Sequence, residues 1–238
     1  MADNGLAVSR AKAQEMLKAG DVLVNGILVE KPSFDVTPDM AVTVTENPLQ
    51  RYVGRGGLKL EAALDAFGLS PDGQISLDIG ASSGGFTDCL LRRGAAFVYA
   101  VDAGYGQLHP TLLADARVCS MENTNARNLT EAHFEKIPTF AVMDVSFISQ
   151  TLIFPAILAS MPKGGVLVSL IKPQFELGRD ALSKKGIVKS EKLALIAKTR
   201  VCDHAASLGF RLLGSIPSPI RGGDGNLEFL AAFSLPQN

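Results

Sequence analysis

A glycine-rich turn between an apolar run and a helical pattern most constrains the fold of this chain. The run 75–79 is mostly apolar, residues 80–85 include three glycines, and a helical pattern begins at Phe86. A strand, a glycine loop and a helix in this order bring a ligand close to the backbone. The dinucleotide-binding spacing G-x-G-x-x-G is not met, because its second glycine falls on Ser82. The spacing D-x-G-x-x-x-G, which starts at Asp78, is instead typical of S-adenosylmethionine (SAM) sites.

Strands and helices alternate from residue 75 onward. Apolar runs predict seven strands, at 75–79, 97–102, 117–122, 139–144, 165–171, 210–216 and 227–234. Helical patterns are clearest at 86–93, 150–161 and 190–208. Such alternation predicts the α/β class, with a mainly parallel sheet and helices on both of its faces. A Gly-Gly-Asp-Gly turn at 222–225 joins the last two strands into an antiparallel closing hairpin, which is typical of methyltransferase folds.

The beginning of the chain reads as a separate small α+β module. Ser9 is positioned to cap a helix, and Asn25-Gly26 between two apolar runs is a strong hairpin signal. A further strand is predicted at 41–45. The module is too small to bury much apolar surface by itself, so we expect it to contact a partner. The predicted division is a small domain over 1–47, a basic linker over 48–60 and a large domain over 61–238.

Composition excludes several classes of protein. The 238 residues carry a net charge of -1, so any affinity for nucleic acid must come from local basic patches. The three cysteines are far apart in sequence, which argues against a structural disulfide or a zinc site. No apolar run reaches the roughly 18 residues of a membrane-spanning helix. We therefore expect a soluble, cytoplasmic protein with no metal and no membrane partner.

Two basic segments could bind phosphates. Segment 51–60 has three positive charges and no acid, and segment 184–200 has six positive charges against Glu191 alone. Local positive fields of this kind attract nucleic-acid backbones. The first segment is equally compatible with a flexible, solvated linker, and the second with a solvated helix face, so both interpretations stay open.

Four charged side chains are predicted near the carboxyl edge of the sheet. Asp144 and Lys172 each close an apolar run, and Glu228 starts the antiparallel last strand at the same edge. Lys59 precedes the helix that leads into the first strand. A partly buried lysine beside a second ammonium has a lowered pKa and can act as a general base towards a hydroxyl group. The alternative for each of the four residues is an ordinary salt-bridged surface charge.

Several segments together resemble one known family. They are residues 52–60, 78–88, 100–108, 123–127, 144–149, 171–176 and 222–229, while residues 8–46 look like an S-four-type RNA-binding module. The chain resembles the TlyA-type rRNA 2'-O-methyltransferases, also called hemolysin A. Family members usually begin with a helix that contains Arg-Leu-Asp, whereas this sequence starts almost at Gly5. The resemblance therefore implies a small domain without its first helix and a weaker hold on RNA.

The resemblance implies a fold, a reaction and a set of residues. The fold is a Rossmann-like, SAM-dependent methyltransferase domain of the FtsJ/RrmJ type, and the reaction is 2'-O-methylation of ribosomal RNA, at cytidine. The Lys-Asp-Lys-Glu catalytic set of that type falls on Lys59, Asp144, Lys172 and Glu228. Lys172 is implied as the base that acts on the ribose 2'-hydroxyl, and the other three residues tune and orient it.

The same resemblance implies the binding residues. Asp102 ends a strand about 20 residues past the glycine loop, where a ribose-binding carboxylate is expected. The SAM-binding set is Asp78, Gly80, Ala81, Ser82, Gly84, Gly85, Phe86, Asp102 and Asn123. RNA phosphates are expected on Arg10, Lys12, Lys18, Arg51 and Arg55, with ribosomal RNA or a ribosomal subunit as the partner.

Three other functions stay open on sequence alone. A non-catalytic RNA-binding or assembly factor could keep the fold, but the intact four-residue set argues against it. A membrane-active hemolysin is disfavoured, because the chain has no spanning segment and no tryptophan to anchor an amphipathic helix. A small-molecule methyltransferase is disfavoured by the RNA-binding module.

Overall fold

The computed structural model describes residues 1, 5–7, 9–18, 21–29, 31–37, 39–44 and 51–236. Within helix or strand, the side chains of Glu15, Lys18 and Leu28 also lie outside this description. The chain divides into two compact units, Met1–Arg51 and Tyr52–Asn238, which are described separately below. The predicted RNA-binding side chain of Lys18 and the first three residues of the predicted linker, 48–50, lie outside the described residues.

The small unit is a three-stranded antiparallel sheet with one helix. Its elements are α1 (Arg10–Lys18), β1 (Val22–Val24), β2 (Ile27–Leu28) and β3 (Val42–Val44), with sheet order β2-β1-β3. Ser9 Oγ accepts a hydrogen bond from Lys12 N at 3.1 Å, as expected of an N-cap. Asn25 and Gly26 form the predicted hairpin turn with φ angles of 49° and 80°. Asn25 Oδ1 also accepts from Ala41 N at 2.8 Å, which holds β3 beside the hairpin.

The large unit is built on a seven-stranded sheet with order β6-β5-β4-β7-β8-β10-β9. The strands are β4 (Ile75–Ile79), β5 (Phe97–Val101), β6 (Val118–Met121), β7 (Phe140–Met143), β8 (Val166–Ile171), β9 (Arg211–Pro217) and β10 (Phe229–Ser234). Strands β4 to β8 pair in parallel, and β10 runs antiparallel to both of its neighbours. The predicted α/β class and the antiparallel closing hairpin are confirmed.

Helices cover both faces of this sheet. They are α2 (Gly56–Phe67), α3 (Gly85–Arg92), α4 (Pro110–Leu113), α5 (Phe154–Leu158), α6 (Pro173–Glu176) and α7 (Glu191–Ser207). On one face, Leu77 and Ile79 of β4 belong to a core that includes Phe154 of α5. On the other face, Leu64 of α2 and Leu90 of α3 belong to a second core. Because both faces are buried, the central strands are almost wholly apolar.

The chain reverses its direction across the sheet at β4. It runs from β4 to β5 and β6 on one side, then returns to β7 and β8 on the other. The ends of β4 and β7 are joined directly, since Asp144 N donates to Ile79 O at 2.9 Å. A crevice at such a switch point, beyond the carboxyl ends of the strands, is the usual ligand site of open α/β sheets.

Residues 52–60, which the sequence placed in a linker, pack within the large unit. Tyr52 is buried, and a Cβ on Gly57 would run into its ring. Val53 N donates to Asp88 Oδ2 at 2.9 Å, and α2 already begins at Gly56. The glycines of this segment allow the chain to pack closely against its neighbours. They therefore indicate close packing here and not a flexible linker.

Two kinds of feature are absent from the described part of the chain. Among those residues, no helix is both long and apolar enough to cross a membrane. The same residues contain no group of three or more His, Cys, Asp or Glu side chains placed to hold a metal ion.

The aromatic cluster around α5 should dominate the stability of the large unit. Phe154 is fully buried, and its ring centroid lies 5.3 Å from that of Phe210 and 6.0 Å from that of Phe233. Phe154→Ala should lower the free energy of unfolding by about 3–5 kcal/mol, because it leaves a cavity among these rings. Urea unfolding followed by circular dichroism measures this. Leu152→Ala, at a side chain that is 53% exposed, is the matched control and should cost little; an equal loss in both variants would contradict the prediction.

Candidate functional site

The glycine loop passes directly beneath the end of β7. Gly80 has a φ of 83°, and a Cβ there would clash with the main-chain carbonyl of Asp144. Its N–H donates to Val101 O at 2.8 Å. Gly84, with a φ of 95°, precedes the first turn of α3. Glycine is required at Gly80 for two reasons, the left-handed backbone and the close approach of a second strand end.

Asp102 is oriented by two backbone donors at the end of β5. Its Oδ2 accepts from Ser82 N at 2.8 Å, and its Oδ1 accepts from Gly104 N at 2.7 Å. The carboxylate therefore ties the glycine loop to the loop that follows β5. A strand-end carboxylate in this position can accept hydrogen bonds from the hydroxyl groups of a ribose.

A pocket of about 450 Å³ opens between these loops. Its lining combines apolar side chains, among them Val101, Ala103 and Ile148, with several polar ones that include Asp102 and Arg127. A concave site of a few hundred Å³ in which apolar walls alternate with polar groups is typical of a small-molecule site. The residues fit a nucleoside ligand such as SAM, because they offer a carboxylate for a ribose, apolar walls for a base, and a glycine backbone without side chains in the way.

The structure distributes the nine predicted SAM-binding residues over three environments. Gly80, Ser82 and Asp102 line the 450 Å³ pocket. Ala81, Gly85 and Phe86 line a smaller neighbouring pocket together with Gly80 and Ser82. Asp78, Gly84 and Asn123 line neither of these two pockets. Gly84 packs against Leu108 and Leu112. Asn123 has a left-handed backbone conformation, and its N–H donates to Gly104 O at 2.9 Å.

Asp78 is buried beneath the glycine loop. Its Oδ2 accepts from Thr87 Oγ1 at 2.7 Å, while its Oδ1 has no hydrogen-bond partner. Burial raises the pKa of Asp78 from 3.8 to about 7, with the negative charges of Asp144 and Asp102 adding to the effect and the Thr87 hydrogen bond opposing it. This carboxyl group consequently changes its charge near neutral pH.

The four charged residues predicted from the sequence form two ion pairs. Lys59 of α2 pairs with Glu228 through Nζ and Oε2 at 2.5 Å, with side chains only 9% and 2% exposed. Lys172 pairs with Asp144 through Nζ and Oδ1 at 2.5 Å. Lys172 Nζ also donates to Ser146 Oγ at 2.9 Å. Buried charges persist in a fold when each has such a partner.

Sheet register brings the two pairs to the same edge. Ile171 of β8 lies opposite Phe229 of β10, so the next residue of one strand and the preceding residue of the other, Lys172 and Glu228, are neighbours across the pair. Lys172, Asp144 and Ser146 line the smaller pocket, of about 190 Å³. The two pockets share Gly80, Ser82, Asp144 and Ser146. A ligand in the larger pocket and a second reactant beside Lys172 would therefore meet across a common wall.

Three contacts fix the loop after β7 against the loop after β8. The first is the Lys172–Asp144 ion pair. The second is the Phe147–Phe175 ring contact, with centroids 5.1 Å apart. The third is a hydrogen-bonded clamp in which Glu176 accepts from Ser149 Oγ at 2.6 Å and from Gln150 N at 3.0 Å. The position of Lys172 relative to Asp144 thus depends on further contacts along both loops.

Phe147 is a site residue that the sequence did not single out. Its side chain is 92% exposed although it lines the larger pocket, and its φ is 64°. A bulky residue in the left-handed region is strained, and such strain clusters at functional sites. Phe147 lies in segment 144–149, one of those that carry the family resemblance, but the sequence alone gave no reason to prefer it to a core phenylalanine.

The predicted RNA-binding residues lie in both units. Arg10 and Lys12 are on α1 of the small unit, and Arg51 is its last residue. Arg55 belongs to the large unit, is exposed and lines the smaller pocket beside Lys172. Of the predicted RNA-binding residues, Arg55 is therefore the one that the structure shows beside Lys172 and Asp144.

Models of two protein families match the chain. An FtsJ-like methyltransferase model matches residues 52–235, and an S4 domain model matches residues 1–42. The boundary between the two matches agrees with the division of the structure into two units.

Three similar proteins have names that describe an rRNA methyltransferase or a hemolysin. The candidate rRNA methyltransferase YqxC of Bacillus subtilis is 46% identical over 237 residues, which cover 99% of this chain and 84% of that protein. The 16S/23S rRNA (cytidine-2'-O)-methyltransferase TlyA of Mycobacterium tuberculosis is 40% identical over 94% of this chain and 84% of its own length. A solved structure from Streptococcus thermophilus, described as a candidate hemolysin, is 43% identical with a TM-score of 0.80, covering 97% of this chain and 84% of that one.

The raised pKa of Asp78 predicts a pH dependence of stability. Between pH 4 and 7 the folded state binds this proton more tightly than the unfolded state, so the free energy of unfolding falls as the pH rises through about 7. Asp78→Asn should remove that slope, which amounts to about 3–4 kcal/mol between pH 4 and pH 7 for a shift of this size. Urea unfolding of both proteins at a series of pH values measures it. Asp224→Asn, on an exposed turn, is the control, and a gap between wild type and Asp78→Asn that does not change with pH would contradict the prediction.

Proposed function

The chain belongs to the FtsJ-like methyltransferase family, and we propose that it transfers the methyl group of SAM to a ribose 2'-hydroxyl of ribosomal RNA. The observation that carries the proposal is the meeting of two lysine–carboxylate pairs at the sheet edge, beside a pocket that ends in Asp102. The name of the mycobacterial relative points to cytidine as the nucleoside. A ribosomal substrate also implies work in the cytoplasm.

The larger pocket is the proposed SAM site. When bound, SAM supplies an electrophilic methyl group that a nucleophilic oxygen can take up. Asp102 is oriented by Ser82 N and Gly104 N and would accept from ribose hydroxyls. Gly80, which lines both pockets, adds no side chain of its own to the wall that they share. These residues would therefore hold the donor next to the pocket of Lys172.

Lys172 is the proposed base towards the RNA hydroxyl. Lys172 has to lose the proton of its ion pair with Asp144 to solvent before it acts, because only a neutral amine can accept the hydroxyl proton. The hydroxyl oxygen becomes a better nucleophile as its proton leaves. Asp144 and Ser146 fix the Nζ atom in the pocket wall. Glu228, which is a neighbour of Lys172 in the sheet register, is held by the buried Lys59. We assign orientation and charge balance around Lys172 to these residues.

Phe147 is the proposed platform for the target base. An enzyme that reacts with one nucleotide must turn it out of its stack, which costs a few kcal/mol. A base stacked on an exposed aromatic ring recovers about 1–3 kcal/mol. The Phe147 ring is 92% exposed, lies at the larger pocket and is backed by Phe175. Its position suits an unstacked base whose ribose reaches towards Lys172.

The small unit is the proposed RNA-docking module. Its match to the S4 domain model supports this role, and Arg10 and Lys12 of α1 supply positive charge. A-form RNA exposes its 2'-hydroxyls in a shallow groove and is recognised largely by shape, which suits a small domain. The end of this module at residue 47 remains part of the proposal, whereas the large unit already begins at Tyr52 and not after residue 60.

The test is transfer of tritiated methyl from SAM to purified bacterial ribosomal subunits. Label should enter rRNA and survive alkaline hydrolysis as an uncleaved dinucleotide, because a methylated 2'-oxygen cannot attack the neighbouring phosphate. Lys172→Ala should lower transfer by at least about 100-fold, the usual contribution of a general base.

Lys163→Ala is the matched control for this loss. Lys163 is an exposed lysine just before β8, at the opposite end of the strand from Lys172, so its removal should leave transfer unchanged. Wild-type protein that binds subunits and transfers no label would overturn the proposal in favour of a non-catalytic RNA-binding role. Label in alkali-sensitive nucleotides would place the methyl group on a base instead of a ribose.

The clamp at Glu176 should act on the rate of transfer. Glu176→Ala removes the acceptor of Ser149 Oγ and Gln150 N, so Asp144 and Lys172 lose a fixed spacing. We expect kcat to fall about 10-fold or more, since small misplacements of catalytic groups are costly, while the Kd for SAM changes little. A double-mutant cycle with Ser149→Ala should be non-additive. Additive effects, or a loss that only follows a lower Tm, would contradict the prediction.

A further inference from the structure

The basic segment 184–200 carries its six positive charges in three places in the structure. Three of its charges lie on α7, where Lys198 Nζ sits 5.8 Å above the Phe229 ring. Lys189, which precedes α7, donates to Asp180 O at 2.8 Å. Lys184 and Lys185 are different, because they are exposed at the tip of a turn that precedes the helix.

This turn is held by its own backbone. Ser183 N donates to Ile187 O at 2.8 Å, and Ser183 Oγ accepts from Ile187 N at 3.1 Å. Leu182 and Val188 pair as an antiparallel bridge on either side. Both lysines are thus carried by a defined turn, which reduces the backbone entropy that would be lost when they bind a ligand.

Asn226 fastens the turn to the catalytic edge of the sheet. Its side chain is 1% exposed and uses both ends of the amide: Oδ1 accepts from Val188 N at 2.9 Å, and Nδ2 donates to Gly186 O at 3.1 Å. Asn226 lies two residues before Glu228, the partner of Lys59. A buried amide with both ends satisfied by one loop fixes the position of that loop.

Two arginines continue the positive charge towards the pocket. Arg221 Nη1 donates to Gly225 O at 3.1 Å, which leaves its other donors available at the 222–225 turn. A Cβ on Gly223 would lie 3.4 Å from Arg55 Nη2, so Arg55 borders the same turn. Arg55 lines the smaller pocket with Lys172. Arg55, Arg221, Lys184 and Lys185 form what we call the basic rim.

We propose that the basic rim binds the phosphates of the RNA strand next to the target nucleotide. The inference rests on the proposed function and deepens it, because it assigns RNA binding to the catalytic unit as well as to the small unit. The whole chain has a net charge of -1, so four cations on the pocket residue Arg55 and on the two neighbouring turns are a local feature and not a general basic surface. The 222–225 turn itself carries one negative charge, that of Asp224, against the four positive charges of the rim. Contacts to phosphates read no sequence but fix the register of the strand over the pocket.

The test is the salt dependence of binding to purified bacterial ribosomal subunits. Filter binding of the whole chain between about 50 and 200 mM salt gives the slope of log K against log salt, which falls by nearly one for each lost phosphate contact. The triple variant Lys184→Gln, Lys185→Gln, Arg221→Gln should lower the slope by about 2–3 and weaken binding at least several-fold. In methyl transfer, KM for subunits should rise while the Kd for SAM is unchanged.

The control removes two cations from the opposite edge of the same sheet. Lys163 precedes β8, and Arg211, at the start of β9, is aligned through Ser234 with Val166. Both are exposed, and Lys163→Gln with Arg211→Gln should keep the wild-type slope. The proposal for the basic rim would be overturned if the triple variant kept the wild-type salt slope. It would also be overturned if the control variant lowered the slope by as much as the triple variant does. A rim-dependent slope without any methyl transfer by wild type would overturn the proposed function and leave the rim as a phosphate-binding surface.

Discussion

The close approach of Gly80 to the main chain of Asp144 is the contact on which the rest of the site depends. A side chain at position 80 would collide with the Asp144 carbonyl, and Asp144 N is bonded to Ile79 O at 2.9 Å. Two strand ends therefore meet with nothing between them. The same contact makes Gly80 and Asp144 a shared wall of both pockets. The proposed donor site and the proposed reaction site are therefore adjacent for a reason of packing.

Charge compensation is the second interaction on which the site depends. Lys59 and Glu228 are almost fully buried, and removal of one partner would leave the other without compensation at a cost of about 3–5 kcal/mol. Lys172 and Asp144 are more exposed and face the pocket. The buried pair is thus suited to hold the edge of the sheet together, whereas the exposed pair is placed where a reactant can reach it.

The sheet was predictable from sequence because its strands are buried on both faces. All seven predicted strands lie within about two residues of the observed ends, since continuous apolar runs mark such strands clearly. The predicted helix at 150–161 is instead a short 3-10 turn at Gln150–Leu152 followed by α5, because Pro155 sits in the first turn of a new helix. Helix α2 was read in part as linker, since its start is rich in glycine and positive charge.

The candidate site was predictable only in part. Strand ends indicated Asp144, Lys172 and Glu228, because parallel topology brings such ends to one edge. Lys59 was placed before a helix, but it lies within α2, and no spacing could have shown its pairing with Glu228. Phe147 and the clamp at Glu176 depend on loop conformation, which local sequence does not determine. The named RNA-binding residues came from composition and resemblance, and their geometry on RNA stays a prediction.

The position of β10 has a consequence for the synthesis of the protein. β10 inserts between β8 and the earlier strand β9, and Glu228 at its start is 169 residues from Lys59. A chain that is still being translated can already hold the glycine loop and the Lys172–Asp144 pair, yet it lacks the carboxylate for Lys59. Contacts of such long sequence separation form late. The complete set of four charges therefore exists only in a finished chain, so a nascent or C-terminally truncated product would leave a buried lysine without its partner.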